Sequence, residues 1–545
     1  MLYFKFFPVI ISPIISDLLI LGLLIILLGI LVIQPFQLKT TFELYCILPQ
    51  YLLFAFIIRA IPVLRLPYQP LADPYYYFIS TLNVTDYGTL QPILTWWYGL
   101  VQQQLTWPDL HLIGAFIMNI TGNQSIEILR YVLPVMGVFF FLGVFLLTKE
   151  ITNNINIALL AGLFASTSDS VLFYQSEYHP QGIAYLYFVF LFVLIIRYFS
   201  VPSLLNGSLM IVYALIYSIS HHFSSILLGL MSIFFVLAFW IFQRYSSPYF
   251  KFNDSGKFDF FLHPWILIAI LMITNHIFRY PEFLRVVSDA MRYQIKPTAT
   301  LVSYGSTVPI QQTILNSTKY LLLALAIISI IYIYRSKNKK EFFSFVIFIG
   351  VFICGIIGTF IAFVPVDRLI GFYVPFAALF AALTLFRFRN IWFTGLGMKI
   401  KYLLILVVSI MILIAGPLNF FAPGLIFHDS PKNSYYWNSD DFSGYSTYGI
   451  PGYWINSYIS KSSTFFASGS SNTDFNYMIP YFYGHLPENN IFSSDTYSGI
   501  NTDYYIVNSE FDKNIEIHLF KKNILLKNQI YTSGIFQIGN SKTTI

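Results

Sequence analysis

Apolar runs long enough to cross a lipid bilayer as helix recur along this chain up to about residue 421, and no other feature narrows its fold so far. A helix rises 1.5 Å per residue, so a hydrocarbon layer of ~30 Å needs about 20 apolar residues. Such runs lie near 17–33, 42–58, 128–148, 155–173, 180–196, 207–220, 223–242, 262–279, 318–334, 342–363, 369–386 and 402–421. They amount to about twelve spans, the sixth being short for a full crossing. Composition agrees, since 57% of the 545 residues are hydrophobic and 10% are charged. With a mean hydropathy of +0.67, a water-soluble domain of this size would lack the polar surface that keeps it dissolved. The expected class is a polytopic all-α membrane protein. Residues 1–16 are apolar but interrupted by Pro8 and Pro13, and no small-residue cleavage site follows. Cys46 and Cys354 both fall inside apolar runs, which argues against a disulfide framework.

Lys and Arg placement sets the expected sidedness. Arg335, Lys337, Lys339 and Lys340 crowd one short loop. Arg387, Arg389, Lys399 and Lys401 crowd another, and Arg244, Lys251 and Lys257 a third. With the spans above, all three loops fall on one side, which is then cytoplasmic. The opposite side receives the loop 60–127, the Tyr174–His179 turn, His221 and His222. It also receives the loop 280–317, Val366-Asp367-Arg368 and the C-terminal tail. Residues 424–545 are rich in Ser, Asn, Asp and Tyr, and Asp503–Val507 and Ile515–Phe520 alternate with period two. A short helix at 451–459 beside such strands makes a small external α/β domain. The expected division is therefore a membrane domain 1–423 carrying the external loop 60–127, followed by a domain 424–545. A formal charge of +6 on so long a chain gives no reason to expect nucleic acid as a partner.

Chemistry-bearing residues gather on the external side. The first long polar stretch opens with Leu71-Ala72-Asp73-Pro74-Tyr75-Tyr76-Tyr77-Phe78 and runs on to Asp86-Tyr87-Gly88. Asp73 is either a helix cap, with Pro74 at the first helical position, or a general base for an acceptor. Asp86 faces a similar choice, with a turn role favoured because Asp-Tyr-Gly suits a turn. Glu177 and His179 stand two residues apart in a tight link between two apolar runs. They are candidates for binding a divalent metal, for contacting a sugar, or simply for solvating the turn. One of His221 and His222 could hydrogen-bond a phosphate or a carboxylate, or the pair has a capping or interfacial role. Arg368 forms either a local ion pair with Asp367 or a seat for a phosphate. Arg279, Arg285, Arg292 and Lys296 run against the positive-inside trend and suit the same phosphate or lipid headgroups. Asn83-Val84-Thr85, Asn119-Ile120-Thr121, Asn123-Gln124-Ser125 and Asn316-Ser317-Thr318 are glycosylation sequons on this side.

This layout resembles the GT-C superfamily of integral-membrane glycosyltransferases, which includes protein O-mannosyltransferases, aminoarabinose transferases and oligosaccharyltransferase catalytic subunits. The resemblance rests on Asp73 with the aromatic run to Gly88, on Glu177 in a second acidic loop, on Ser220-His221-His222, and on the segment from Asp367 to Pro375. It implies an inverting transfer on the outer face of the cell membrane from a polyprenyl- or dolichyl-phosphate sugar. The acceptor would be a surface glycan, glycolipid or protein. Asp73 would then be the catalytic base and Glu177 a second acidic group for acceptor or metal, with Arg368 and His222 holding the donor phosphate. The chain departs from the pattern in lacking paired acids after Asp73 and in lacking a WWDYG motif, since Thr95-Trp96-Trp97-Tyr98-Gly99 has no Asp. That favours transfer of a single sugar over transfer of a whole oligosaccharide. Outside this class stand a lipid-linked oligosaccharide flippase, a glycan polymerase or ligase, and a non-catalytic scaffold. A transporter should carry charged or broken spans at mid-depth.

Overall fold

A computed structural model describes residues 13–37, 41–65, 73–90, 107–124, 126–221, 227–237, 265–268, 270–271, 310–336, 338–362, 366–391, 403 and 405–413, together with short strands at 465–467, 491–492, 504–508, 529–532 and 536–540. The helices used below are α1 (Pro13–Gln37), α2 (Thr41–Arg65), α3 (Asp73–Tyr87), α4 (Asp109–Thr121), α5 (Ile126–Leu129), α6 (Val132–Thr152), α7 (Ile155–Ser166), α8 (Asp169–Ser176), α9 (Pro180–Ser200) and α10 (Leu204–Ser220). A shorter apolar helix, α11, covers Leu227–Leu237. The last three are α12 (Ile310–Ser336), α13 (Lys339–Ala362) and α14 (Val366–Ile391). The chain divides into two compact units. One holds Met1–Arg65, Thr106–Leu110 and Leu129–His428, and the other holds Leu66–Leu105, His111–Ile128 and Asp429–Ile545.

The first unit is helical. Among the described residues, Phe42–Ile61, Val132–Thr152 and Pro180–Tyr198 are long and apolar enough to cross a membrane on their own. α10 and α11 are shorter apolar helices. Helices of this composition need lipid or protein around most of their surface, so the chain is a membrane protein. Pro13 opens α1 instead of breaking it, because a proline in the first turn gives up no intrahelical hydrogen bond.

The run read as one span at 155–173 is two helices. α7 and α8 meet at 66° across Thr167-Ser168, and α8 carries on to Ser176. At its other end α7 joins α6 through two asparagines with different tasks. Asn153 takes the left-handed conformation that ends α6, its N–H bonding Lys149 O at 2.8 Å. Asn154 caps α7, its Oδ1 accepting from Asn156 N at 2.9 Å and Ile157 N at 3.2 Å. The core forms where α6 packs on α2, α7 and α9, and where α14 packs on α7, α12 and α13. Fully buried Phe140, Phe141, Leu160, Phe188, Phe192, Phe376 and Phe380 lie along these seams.

Charges gather at the end of this unit where α6, α9 and α14 finish and α13 begins. Arg197 Nε lies 3.3 Å from Glu150 Oε1, and Lys340 Nζ donates to Glu150 O at 3.2 Å. Arg387 Nη2 spans both oxygens of Glu341 at 2.6 and 2.8 Å. Lys340 and Arg387, from two loops assigned to one membrane side on charge alone, thus meet at one end of the helices.

In the second unit, α3 and α4 are joined by His111, whose Nδ1 lies 3.1 Å from both Thr81 Oγ1 and Tyr77 O. Asp86, in the last turn of α3, accepts from Gln124 Nε2 at 2.9 Å. Gly88 follows with φ +63 and returns its N–H to Val84 O at 2.9 Å, so the turn read at Asp-Tyr-Gly is a glycine-terminated helix end. Asn83 is buried, and its Nδ2 donates to Thr89 O at 3.2 Å, which removes this sequon from the accessible set. Residues of the C-terminal segment form a five-stranded sheet ordered β2-β1-β3-β5-β4, with β1 (Phe465–Ala467), β2 (Ile491–Phe492), β3 (Tyr504–Asn508), β4 (Gln529–Thr532) and β5 (Phe536–Asn540). β1 runs parallel to β2 and β3, while β5 is antiparallel to β3 and β4. The period-two stretch at 503–507 falls on β3. The stretch 515–520 and the expected helix 451–459 lie outside the described residues.

Candidate functional site

Where α8 ends and α9 begins, Gln175, Ser176, Glu177, His179 and Gln181 are all buried polar residues within seven positions. Glu177 closes α8 in extended conformation and is fully buried. Tyr178 is equally buried, its hydroxyl donating to Leu110 O at 3.0 Å. His179 caps α9, accepting from Gln181 N at its own Nδ1 over 3.1 Å. An acceptor at Nδ1 implies a neutral ring with its proton on Nε2. Pro180 in the first turn loses no hydrogen bond and stiffens the entry to α9. The reading of Glu177 and His179 as a solvated turn is overturned, because the link is enclosed by helices. A carboxylate taken out of water is costly and is seldom kept without a task.

His221 joins them from the end of α10. It is 3% exposed, and its ring centre lies 6.4 Å from that of His179. Tyr174 packs edge-on against His179 at 4.8 Å and lies 6.0 Å from Tyr185. Tyr185 Oη in turn accepts from Gln181 Nε2 at 2.6 Å. Two glycines allow this density. A methyl on Gly182 would run into Tyr174 O and come 2.6 Å from Leu133 Cδ1. A methyl on Gly371 would fall on the Tyr185 ring. The cluster therefore exists only because α14 and α9 are bare at these points.

A fully buried cation lies beside it. Arg59 Nε donates to Gln175 Oε1 at 2.9 Å, Nη1 to Ala55 O at 2.8 Å and Nη2 to Ser166 O at 3.3 Å. Neither Arg59 nor its partner Gln175 stood out from sequence, because the expected span stopped at 58. An arginine continuing an apolar helical run was the signal available. Asp109, the first residue of α4, was also passed over. Its carboxyl is hydrogen-bonded by Tyr187, with Tyr213 close by, and burial pushes it up to about 6 from the usual carboxylate range. Tyr187 and Tyr213 meet edge to face with centroids 5.8 Å apart.

Of the residues singled out from sequence, the structure brings together Glu177, His179 and His221. Asp73 is the first residue of α3, and Arg368 lies in the first turn of α14. His222, Arg279 and Arg285 lie outside the described residues. Among the described residues, no three His, Cys, Asp or Glu side chains group closely enough to hold a metal ion. The arrangement offers a buried carboxylate, two imidazoles, carboxamides and tyrosine hydroxyls, which are groups that exchange protons and hydrogen-bond hydroxyls without redox chemistry.

No family model and no curated protein sequence matches the chain. Solved structures do. The chain is similar to ArnT from Cupriavidus metallidurans bound to undecaprenyl phosphate, at 10% identity and a TM-score of 0.58, over 93% of this chain and 99% of that one. The apo state of the same protein gives 10% identity and a TM-score of 0.53, over 92% and 98%. The oligosaccharyltransferase of Archaeoglobus fulgidus, tethered to an acceptor peptide containing the NVT sequon, gives 14% identity and a TM-score of 0.49 over 81% of this chain. The chain spans 64% of that protein's length. At such identities the likeness concerns the fold, and that fold is a GT-C-like architecture.

Proposed function

With a GT-C-like membrane architecture as the starting point, we propose that this protein is a glycosyltransferase that takes a sugar from a polyprenyl- or dolichyl-phosphate donor and attaches it to a surface glycan, glycolipid or protein on the outer face of the membrane. In this reading about twelve spans hold the loop 60–127 and an α/β domain from 424 on the extracytoplasmic side. The observation that carries it is the buried cluster of Glu177, His179 and His221 at one end of a GT-C-like helical unit. Support also comes from the structural neighbours, one of which binds undecaprenyl phosphate.

Asp73 takes the proton from the acceptor nucleophile as that nucleophile attacks the anomeric carbon. The bond from anomeric carbon to phosphate oxygen breaks, and polyprenyl phosphate leaves with its electron pair. One displacement inverts the anomeric centre. Glu177 accepts hydrogen bonds from sugar or acceptor hydroxyls, with His179 and His221 beside it. Arg368 and His222 stabilise the leaving phosphate, with Arg279 and Arg285 drawing the donor headgroup in. A preorganised, water-poor site strengthens each of these interactions.

A second reading is transport of a lipid-linked glycan, supported by the break between α7 and α8, since discontinuous spans are common in transporters. One comparison separates the two. Surface glycans and glycolipids of a deletion strain are measured by mass spectrometry after complementation with wild type, Asp73→Asn or Glu177→Gln, each checked for membrane insertion. Transfer predicts that wild type restores a missing sugar and both variants fail while still binding polyprenyl phosphate. Full restoration by both variants would sink the catalytic assignment. Accumulation of a complete glycan on its lipid at the inner face would favour transport.

A further inference from the structure

Arg59 is placed where the broken span most needs a donor. A helix that ends inside a membrane leaves its last four carbonyls without intrahelical partners, and no water is at hand to take them. In α7 these are Leu163, Phe164, Ala165 and Ser166. Leu163 O accepts from Thr167 N at 3.1 Å and from Thr167 Oγ1 at 3.0 Å. Phe164 O accepts from Thr167 Oγ1 at 3.3 Å, and Ala165 O from Ser168 N at 3.4 Å. The local chain thus satisfies three of the four. The fourth, Ser166 O, accepts from Arg59 Nη2 at 3.3 Å, across 107 positions of sequence. A cation at that end also meets the negative pole of the α7 dipole, which fits described partners that are all neutral oxygens.

The same guanidinium reaches the far side of the break. Its Nε holds Gln175 Oε1 at 2.9 Å, and Gln175 Nε2 donates onward to Gly182 O at 3.3 Å, in the first turn of α9. Gln175 and Gly182 flank the link that carries Glu177 and His179. Space for the arginine is built in, because a methyl on Gly137 of α6 would run into Arg59 Cδ and Nε. We infer that Arg59 is a positioning residue: it fixes the break between α7 and α8 and, through Gln175, sets the link that presents Glu177 and His179. Lysine cannot replace it, since one ammonium at the end of a flexible stem does not reach Gln175, Ala55 and Ser166 together.

The inference rests on the proposed transfer activity for its kinetic arm only, and a second readout is independent of activity. Arg59→Lys and Gln175→Glu are compared with wild type and with the double variant in detergent or nanodiscs. Gln175→Glu keeps the acceptor for Arg59 but removes the donor to Gly182. Amide hydrogen exchange of the segment 174–182 is expected to speed up at least tenfold in both variants, with α6 unchanged. In the transfer assay kcat is expected to fall ~10- to 100-fold with KM for the lipid donor within about threefold, as a small misplacement of catalytic groups produces. The double variant is expected to be no worse than the more affected single one, because both act through one contact chain. Unchanged exchange in 174–182 together with unchanged kcat overturns the inference. A rise in KM alone, or exchange that rises equally in α6, overturns it too, since that describes a binding or a general structural role. Should Arg59→Lys not accumulate, Gln175→Glu decides by the same criteria. If wild type has no transfer activity, the proposed function fails while the exchange data still judge Arg59.

Discussion

Replacing Gly371 by alanine tests the packing that encloses the candidate site. Gly371 lies in the second turn of α14, facing Tyr185 of α9. An added methyl would fall on Tyr185 Cζ and Oη, so either the ring or the helix must shift. The ring has nowhere easy to go. Phe372 packs edge-on against it at 4.8 Å, Tyr174 lies at 6.0 Å, and its hydroxyl holds Gln181 Nε2 at 2.6 Å. Overpacking of this kind costs about 1–3 kcal/mol, and loss of the hydrogen bond from Gln181 to a displaced Tyr185 hydroxyl adds about 1–2 kcal/mol. The sum is about 2–5 kcal/mol, enough to lower the unfolding midpoint of the purified protein by several degrees. Gly29→Ala is the control, since nothing lies within 4 Å of a methyl there. The double variant Gly371→Ala with Tyr185→Leu should recover part of the loss by vacating the ring. The assay is the thermal or denaturant midpoint of detergent-solubilised protein, followed by size-exclusion profile and tyrosine absorbance. A Gly371→Ala protein as stable as Gly29→Ala would refute the close approach of α14 and α9.

Glu341→Ala leaves the Arg387 guanidinium, 24% exposed, without the carboxylate that now grips it at two points, and should cost about 2–4 kcal/mol. In a double-mutant cycle, Glu341→Ala with Arg387→Ala should cost clearly less than the sum of the two single changes. Asp109 gives a pH signature. Its native value of about 6 lies above the usual 3.8, so between those values the native state holds more protons than the unfolded one. Stability should therefore fall as pH rises from about 4 to about 6 and stay low above that, by on the order of 3 kcal/mol. Asp109→Asn should remove this slope, and a midpoint that climbs with pH across that window in wild type would contradict the burial of the carboxyl. Asn154→Ala removes the acceptor for two N–H groups at the start of α7 and should cost about 1 kcal/mol, read as faster amide exchange at residues 155–158.

Much of the helical unit was legible because lipid imposes a rule that a sequence can state alone. Every peptide group in hydrocarbon must bond within its own segment, so an apolar run of sufficient length is a helix whatever surrounds it. The runs at 42–58, 128–148 and 180–196 correspond to α2, α6 and α9 on that ground. The alternation at 503–507 found a strand because period two has one structural meaning. Glu177, His179 and His221 were visible as polar residues at the ends of apolar runs.

Tertiary structure decided the rest. Between Ile155 and Phe173 there is no proline, and no glycine at Thr167-Ser168. The signal in the sequence is the polar run Ser166-Thr167-Ser168-Asp169-Ser170, with Ser168 at the N-cap of α8, and hydropathy alone passes over it. The bend is stable because Arg59, 107 positions away, takes the carbonyl that the turn leaves over. Hydropathy weighs each residue by its own transfer energy and is blind to such a partner. The same holds for Gly137, Gly182 and Gly371, which read as ordinary small residues until the side chain that occupies their space is known. Whether Glu177 and His179 solvate a turn or sit in a closed site depends on the helices packed over them. Local sequence carries the propensity to form each helix, while burial and pairing are properties of what lies across from it.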